Sequence, residues 1–286
     1  GGKLTKVTLV TAEGGKEVAG TITGDGSSWE PDGKLQLSTK YELSATAVDS
    51  KGRKETKHST FTTLSPENTF IGFFTPEHGS TVGVGMPVSI NFNKPIANKA
   101  EVQKHIKVTS TSGQEIVGHW FGNNRLDFRP EKFWEPGSKV TLSLRLAGVE
   151  ASDGVYGLQS KDVTFTIGRS QVSTVDVKTK KMTVVRDGKV LRTIPITAGA
   201  PSTPTYNGIM VISEKHKETR MNGATVGFVD DDGKGEYDIP DVPHAMRLST
   251  SGTFIHGNYW GGNAFGQANT SHGCVGLKDV KGANDN

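Results

Sequence analysis

The chain has 286 residues, 33% of them hydrophobic and 36 of them glycine, a composition of turns and strands rather than of helices. Its formal charge of +3 comes from Lys and Arg spread singly, so there is no basic stripe and no nucleic acid is expected as a partner. No apolar run reaches the roughly eighteen residues of a membrane-spanning helix, and Gly1-Gly2-Lys3 is no signal peptide, so we expect a trimmed chain carrying neither signal nor lipid anchor.

Residues 1 to 64 alternate apolar and polar in short runs. Val7-Thr8-Leu9-Val10, Lys34-Leu35-Gln36-Leu37 and Tyr41 through Val48 read as strands, with turns at Gly24-Asp25-Gly26-Ser27-Ser28 and Asp49-Ser50-Lys51-Gly52. Short strands at this spacing predict a small β-sandwich. Leu64-Ser65-Pro66-Glu67-Asn68 marks a linker, and residues 65–168 repeat the theme. Val88-Ser89-Ile90-Asn91-Phe92, Val140 through Leu146, and Val163-Thr164-Phe165-Thr166-Ile167 alternate strictly, so one face of each packs on a core. Trp120 through Phe128 reads as a hairpin turning at Asn123-Asn124, and Lys99 to His105 is the one stretch with helical character. Phe61-Thr62-Thr63 and Phe165-Thr166-Ile167 close the two units in the same way, which predicts tandem sandwiches of immunoglobulin-like size. Neither gathers titratable residues, and Trp29 and Trp120 are read as core.

Residues 169–286 form the third expected unit. Val175, Val177, Met182, Val184, Val190 and Ile194 fall in strands joined at Lys178-Thr179-Lys180-Lys181 and at Asp187-Gly188, and Gly208-Ile209-Met210-Val211-Ile212 reads as another strand. From Lys215 to Pro243 the alternation is lost, which predicts a long functional loop covering a site. Asp230-Asp231-Asp232-Gly233-Lys234 has Lys at the third calcium-ligand position, so it reads as a solvated turn.

The chemistry converges on the only cysteine, Cys274. A thiol attacks carbonyl carbon as its thiolate, and at an ordinary pKa of roughly 8.5 something must take its proton. An imidazole within reach does so, and the imidazolium then stabilises the thiolate. Gly252-Thr253-Phe254-Ile255-His256 reads as a buried strand ending in a histidine, which makes His256 the expected base. His272, two residues before Cys274, points the same way as the thiol in an extended segment, and Gly273 permits close backbone approach to a substrate. The amides of His272, Gly273 and Cys274 are candidate oxyanion donors. Two blander readings stand beside this one. A lone cysteine is most often a small buried hydrophobe, and two histidines with a cysteine suggest zinc, although His-Gly-Cys lacks structural-zinc spacing and no second cysteine is present.

His256, fourteen residues, then Ser271-His272-Gly273-Cys274-Val275 resembles the signature of the L,D-transpeptidase (YkuD-type) catalytic domain. The resemblance extends upstream through Pro204-Thr205-Tyr206-Asn207-Gly208 and Ser251-Gly252. Gly276 departs from it, standing where the family commonly has an Asn expected to contact substrate, so that contact is missing or supplied from elsewhere. The resemblance implies an all-β chain, with two tandem immunoglobulin-like sandwiches ahead of a β-rich catalytic domain, as in actinobacterial members. It implies Cys274 as nucleophile and His256 as base, and Ser271 and Gly257 orienting the histidines. Gly273, Gly257, Tyr237, Ser251 and Gly252 then lie around oxyanion and substrate. Tyr237 resembles a lid tyrosine donating to a substrate carbonyl, with a packing role equally open. Peptidoglycan stem peptides are the implied substrate, carbapenem-class β-lactams the implied inhibitors, and the cell wall or outer face of the plasma membrane the implied location. No cofactor and no metal are implied. Members usually continue through further secondary structure, so a C-terminal truncation at Asn286 is expected. An L,D-carboxypeptidase, in which water resolves the thioester, and a non-catalytic wall-binding protein are the alternatives.

Overall fold

The computed structural model describes residues 2–283. Its strands group into sheets in chain order. The first four-stranded sheet has Lys3–Thr11 and Lys40–Val48 at its centre, flanked by Glu17–Val18 and Lys54–Thr62, with a separate ribbon of Gly20–Ile22 and Trp29–Pro31. This layer is thin: Leu9 and Tyr41 are buried, whereas every residue of Lys54–Thr62 is exposed. Trp29 lies over Gly20, where a Cβ would stand 2.0 Å from its ring, so the indole packs on the ribbon. Lys34–Leu37, expected as a strand, is not one. The segment is held by single bonds, Gln36 N–H donating to the Tyr41 hydroxyl and the Thr63 hydroxyl donating to Gln36 O.

The second unit pairs two four-stranded sheets around a dense core. One sheet runs Val117–Phe121, Arg125–Arg129, Val88–Phe92, Gly72–Thr75, and the other Ile106–Ser110, Lys139–Arg145, Ser160–Ile167, Thr81–Val82. The strict alternation read from Val88, Val140 and Val163 onwards becomes their inward faces: Ile90, Leu142, Leu144, Val163 and Phe165 are all buried. The expected hairpin turns between Phe121 and Arg125, and the helix spans Lys99–Lys104. Trp120 stacks on Phe92 and donates its indole N–H to Gln103, so it is tied to this core.

A seven-stranded sheet follows, in the order Gln171–Asp176, Lys181–Arg186, Lys189–Thr197, Val275–Lys278, Phe254–Asn258, Asp238–Arg247, Glu214–Asn222. The tight turn at Asp187-Gly188 has both residues at positive φ, as a two-residue hairpin of this twist requires. Two expectations fail here. Gly208–Ile212 forms no strand; Ile209 is 75% exposed, and Val211 reaches towards Gly85 of the second unit. Residues 215–243 are no aperiodic loop throughout: about half of them belong to the hairpin of Glu214–Asn222 with Asp238–Arg247, and the tip between, residues 223–237, is irregular. Glu214–Asn222 is the edge of the sheet, and an edge carrying Lys, Glu and Arg on both faces shows no alternation to read. Asp230 is a turn residue, its carboxylate accepting from the amides of Asp232 and Lys234.

Candidate active site

The site is built by two neighbouring parallel strands, the histidine strand Phe254–Asn258 and the cysteine strand Val275–Lys278. His256 stands in the middle of its strand rather than at its end, and the whole strand is buried. Register places His256 opposite Gly276 and Ile255 opposite Val275. Side chains alternate along a strand, so Phe254, His256 and Asn258 share one face with Cys274 and Gly276. Cys274 immediately precedes its strand, and continuing the register one residue back makes His256 and Cys274 diagonal neighbours on the same face.

The histidine is oriented by its own backbone. Nδ1 of His256 lies 2.7 Å from the carbonyl oxygen of Gly257. A carbonyl only accepts, so Nδ1 carries the proton and Nε2 is left with the lone pair. Trp260 stacks on the imidazole at 5.6 Å and 14°, closing one of its faces. On the reverse side of Gly257 lies Asp279, bonded through Oδ2 to Nδ1 of His244 at 2.8 Å; a Cβ on Gly257 would stand 2.1 Å from that oxygen.

The cysteine is set by a braced turn. Thr197, fully buried, donates to Ala268 O at 2.8 Å and accepts from the Thr270 amide, while Asn269 bonds both Ala198 N–H and Val177 O. Ser271 exchanges backbone bonds with Ala198 and Ala200, and its hydroxyl donates to Cys274 O at 2.6 Å and accepts from the Gly273 amide at 3.1 Å. Ser271 thus shapes the turn, where the sequence suggested that it orients a histidine. Gly273 has φ +119, a conformation that L side chains rarely adopt. The thiol of Cys274 donates to Gly252 O at 3.6 Å, and Gly252 itself sits at φ +93 against Val226. Ser251 stands beside it, exposed, its hydroxyl 2.9 Å from that of Ser249.

His272 is engaged by the hairpin tip. Its Nε2 is 2.9 Å from Glu236 Oε2, and its ring meets Tyr237 at 4.9 Å and Phe228 at 5.2 Å. Tyr237 is half-buried, and burial first, then the neighbouring Cys274 and Glu236, holds its hydroxyl above the ordinary pKa of 10.0. It keeps its proton and stays a donor within electrostatic reach of the cysteine.

Burial also decides the state of the central pair. It lowers the His256 pKa below 6.5 against the pull of the Gly257 carbonyl, and raises that of Cys274 above 9.0 against a bond from the Phe254 backbone. The resting pair is thiol and imidazole, both neutral. Desolvation is the largest cause of both shifts. Sequence reasoning gave no role to Trp260, Thr197, Asn269 and Glu236. Trp260 lies four residues past His256, within the fourteen-residue spacer, but its stacking depends on the loop's path. Among the described residues no group of three His, Cys, Asp or Glu side chains is placed to hold a metal ion. Cavities of about 460 and 260 Å³ lie on the second and first units, so shape alone does not single out the cysteine's surroundings.

Residues 170–285 match the YkuD family, the L,D-transpeptidase catalytic domain, and residues 1–150 match the bacterial Ig domain. The chain belongs to the Ig-bearing L,D-transpeptidase family. It is similar to L,D-transpeptidase 2 of Mycobacterium tuberculosis, with 36% identity over 274 residues, 96% of this chain and 66% of that protein. L,D-transpeptidase 5 of the same species is 31% identical over 94% of this chain and 59% of its own length. The chain thus spans about three fifths to two thirds of these relatives. Among solved structures, the LD transpeptidase LdtMt1 in complex with imipenem superposes with a TM-score of 0.62 at 27% identity, covering 72% of this chain and 88% of that one. L,D-transpeptidase 3 from Mycobacterium tuberculosis with a faropenem-derived adduct gives 0.59 at 27%, over 74% and 90%. The all-β architecture of Ig-like units and YkuD domain is the family's own, and among the described residues no helix is long and apolar enough to cross a membrane.

Proposed function

We propose that this L,D-transpeptidase family member cross-links peptidoglycan stem peptides outside the cytoplasm through a thioester on Cys274. The observation that carries the reading is the shared face of His256 and Cys274 on adjacent strands, with the His256 tautomer fixed by Gly257 so that Nε2 is free to accept. The relatives' names and the bound imipenem of one neighbour point to the same acyl-transfer chemistry.

Rotation about the Cβ–Sγ bond of Cys274 redirects the thiol proton from Gly252 O to His256 Nε2. As that proton moves, sulfur attacks the carbonyl carbon that joins the third stem residue to the terminal D-Ala. Proton transfer in step with attack suits a pair whose resting state is neutral. The developing oxyanion is met by the amides of His272 and Cys274 and by the protonated Tyr237 hydroxyl, the Gly273 amide being engaged by Ser271. The C–N bond breaks, the imidazolium returns its proton to the departing D-Ala amine, and a thioester remains. An amine of a second stem then attacks the thioester, passing its proton to Nε2. The C–S bond breaks and sulfur takes the proton back. The tip carrying Phe228, Glu236 and Tyr237, docked on His272, shields this thioester from water. Carbapenem-class β-lactams present a strained carbonyl to the same sulfur.

Mass spectrometry of a disaccharide tetrapeptide incubated with the protein tests the reading. A cross-linked dimer with release of D-Ala, lost in Cys274→Ala, is the expected result. Tripeptide alone would replace the proposal with an L,D-carboxypeptidase, and an unchanged tetrapeptide beside a fully folded protein would leave a wall-binding role.

A further inference from the structure

One polar side chain beside the His–Cys pair is used by nothing described so far. Asn258 is only 6% exposed, and among the described residues its Oδ1 is the single buried side-chain polar atom without a hydrogen-bond partner. An uncompensated buried carboxamide end is costly, so this side chain is not explained by a contribution to stability. Asn258 lies two residues after His256 and therefore on the same face of the same strand. Its carboxamide leans sideways onto the cysteine strand. A Cβ built on Gly276 would stand 3.0 Å from Asn258 Nδ2 and 3.3 Å from Asn258 Cβ, so Asn258 fills the space that a side chain at 276 would take. At the other end, Oδ1 is 3.0 Å from where a Cβ on Gly261 would stand, and Phe265 is closer still at 2.6 Å. The carboxamide is wedged between two glycines, its acceptor sealed under the 259–266 segment and its donor held over Gly276. The residue opposite Gly276 is His256 itself. Nδ2 therefore lies over Gly276, on the face that His256 and Cys274 share.

We propose that Asn258 is a substrate-binding residue of this site, its carboxamide reaching from the histidine strand over Gly276 to donate from Nδ2 to a carbonyl oxygen of the bound stem peptide. The inference rests on the proposed function and names a contact within it. It also accounts for glycine at 276: one carboxamide fits above this position, and here it is delivered from the neighbouring strand. Moving the group across requires that Asn258 be shortened, which removes the Nδ2 contact; the Thr197 methyl at 3.0 Å and the Cβ that alanine retains at 258, at 3.3 Å, must then each give by a few tenths of an ångström.

The test compares D-Ala release from a disaccharide tetrapeptide by the full chain and by three variants: Asn258→Ala, Asn258→Ala with Gly276→Asn, and Asn258→Ala with Gly276→Leu. Alkylation of Cys274 by a haloacetate reports on the thiol–imidazole pair independently. Loss of one substrate hydrogen bond predicts a fall of about tenfold or more in kcat/KM for Asn258→Ala, with the alkylation rate unchanged. The Asn-bearing double variant recovers most of that loss, and the Leu-bearing one, which refills the space without an N–H donor, does not. Equal kcat/KM in Asn258→Ala and the parent, or equal recovery by Asn and Leu at 276, would overturn the inference and leave a packing role. If Asn258→Ala alone misfolds, the two refilled variants decide the matter between themselves. A parent chain that alkylates normally yet never releases D-Ala refutes the proposed function instead, and this contact with it.

Discussion

The second Ig-like unit and the catalytic sheet are both β-structures, but they fill their interiors differently. The Ig-like unit buries Trp134, Phe70, Phe165, Leu126, Leu142 and Leu144 between two sheets, a continuous apolar core. The catalytic sheet has a smaller apolar cluster around Met182, Ile196, Ile255 and Val275, and alongside it buries Thr197, Thr253, His256 and Asn258. In the first, burial maximises transfer of apolar surface from water. In the second, burial holds polar groups in one arrangement and shifts their protonation, which costs stability and gives chemistry.

That contrast is open to test, and the largest effect expected is on Cys274. Cys274→Ala should reduce D-Ala release to background while leaving thermal unfolding nearly unchanged; residual turnover would move the nucleophile elsewhere. His256→Ala should slow thioester formation by roughly 10²- to 10⁴-fold, the usual range for a general base, measured as acylation by imipenem in stopped flow. Leu142→Ala reverses the pattern. It should destabilise the Ig-like unit by about 2–5 kcal/mol in urea denaturation, with the acylation rate of Cys274 unaltered below the transition. A proportionate loss of acylation would show that the two interiors are not independent.

Protonation sharpens the comparison further. The folded His256 has its pKa below 6.5, so the unfolded chain binds its proton first, and stability from this residue is lost as pH falls below 6.5. The folded Cys274 has its pKa above 9.0, so its contribution is lost as pH rises past the unfolded thiol's value. Haloacetate alkylation of Cys274 should therefore keep climbing above pH 9, and a plateau near neutrality would instead reveal a thiolate at rest. The smallest effect belongs to the hairpin tip. The exposed Glu236–His272 pair at 2.9 Å contributes at most about 1 kcal/mol, so Glu236→Gln should change acylation only a few-fold.

The contrast also explains what was legible beforehand. Alternation from Val88, Val140 and Val163 reported real half-buried strands, and the spacing from His256 to Cys274 located the two strands that meet. The same logic failed wherever burial did not impose a period. Glu214–Asn222 is a charged edge, and Lys34–Leu37 and Gly208–Ile212 look like strands but form none because no neighbour pairs with them in register. At the site, the chain order named Cys274, His256 and Tyr237 but not how Ser271 is used, because its hydroxyl goes to Cys274 O, a choice made by the turn's shape. Asn258 was in principle visible: a period of two from His256 puts it on the reactive face.

The partner that orients His256 is the Gly257 carbonyl, a backbone atom, present whatever side chain stands there. Alanine scanning would pass over this third member of the site, because no codon change deletes a peptide oxygen. Only displacing that oxygen can weaken the contact, and Asp279 packed behind Gly257 leaves little room for that. An amide-to-ester replacement at the 257–258 linkage, which weakens that oxygen as an acceptor without altering any side chain, is the way to weigh what it contributes.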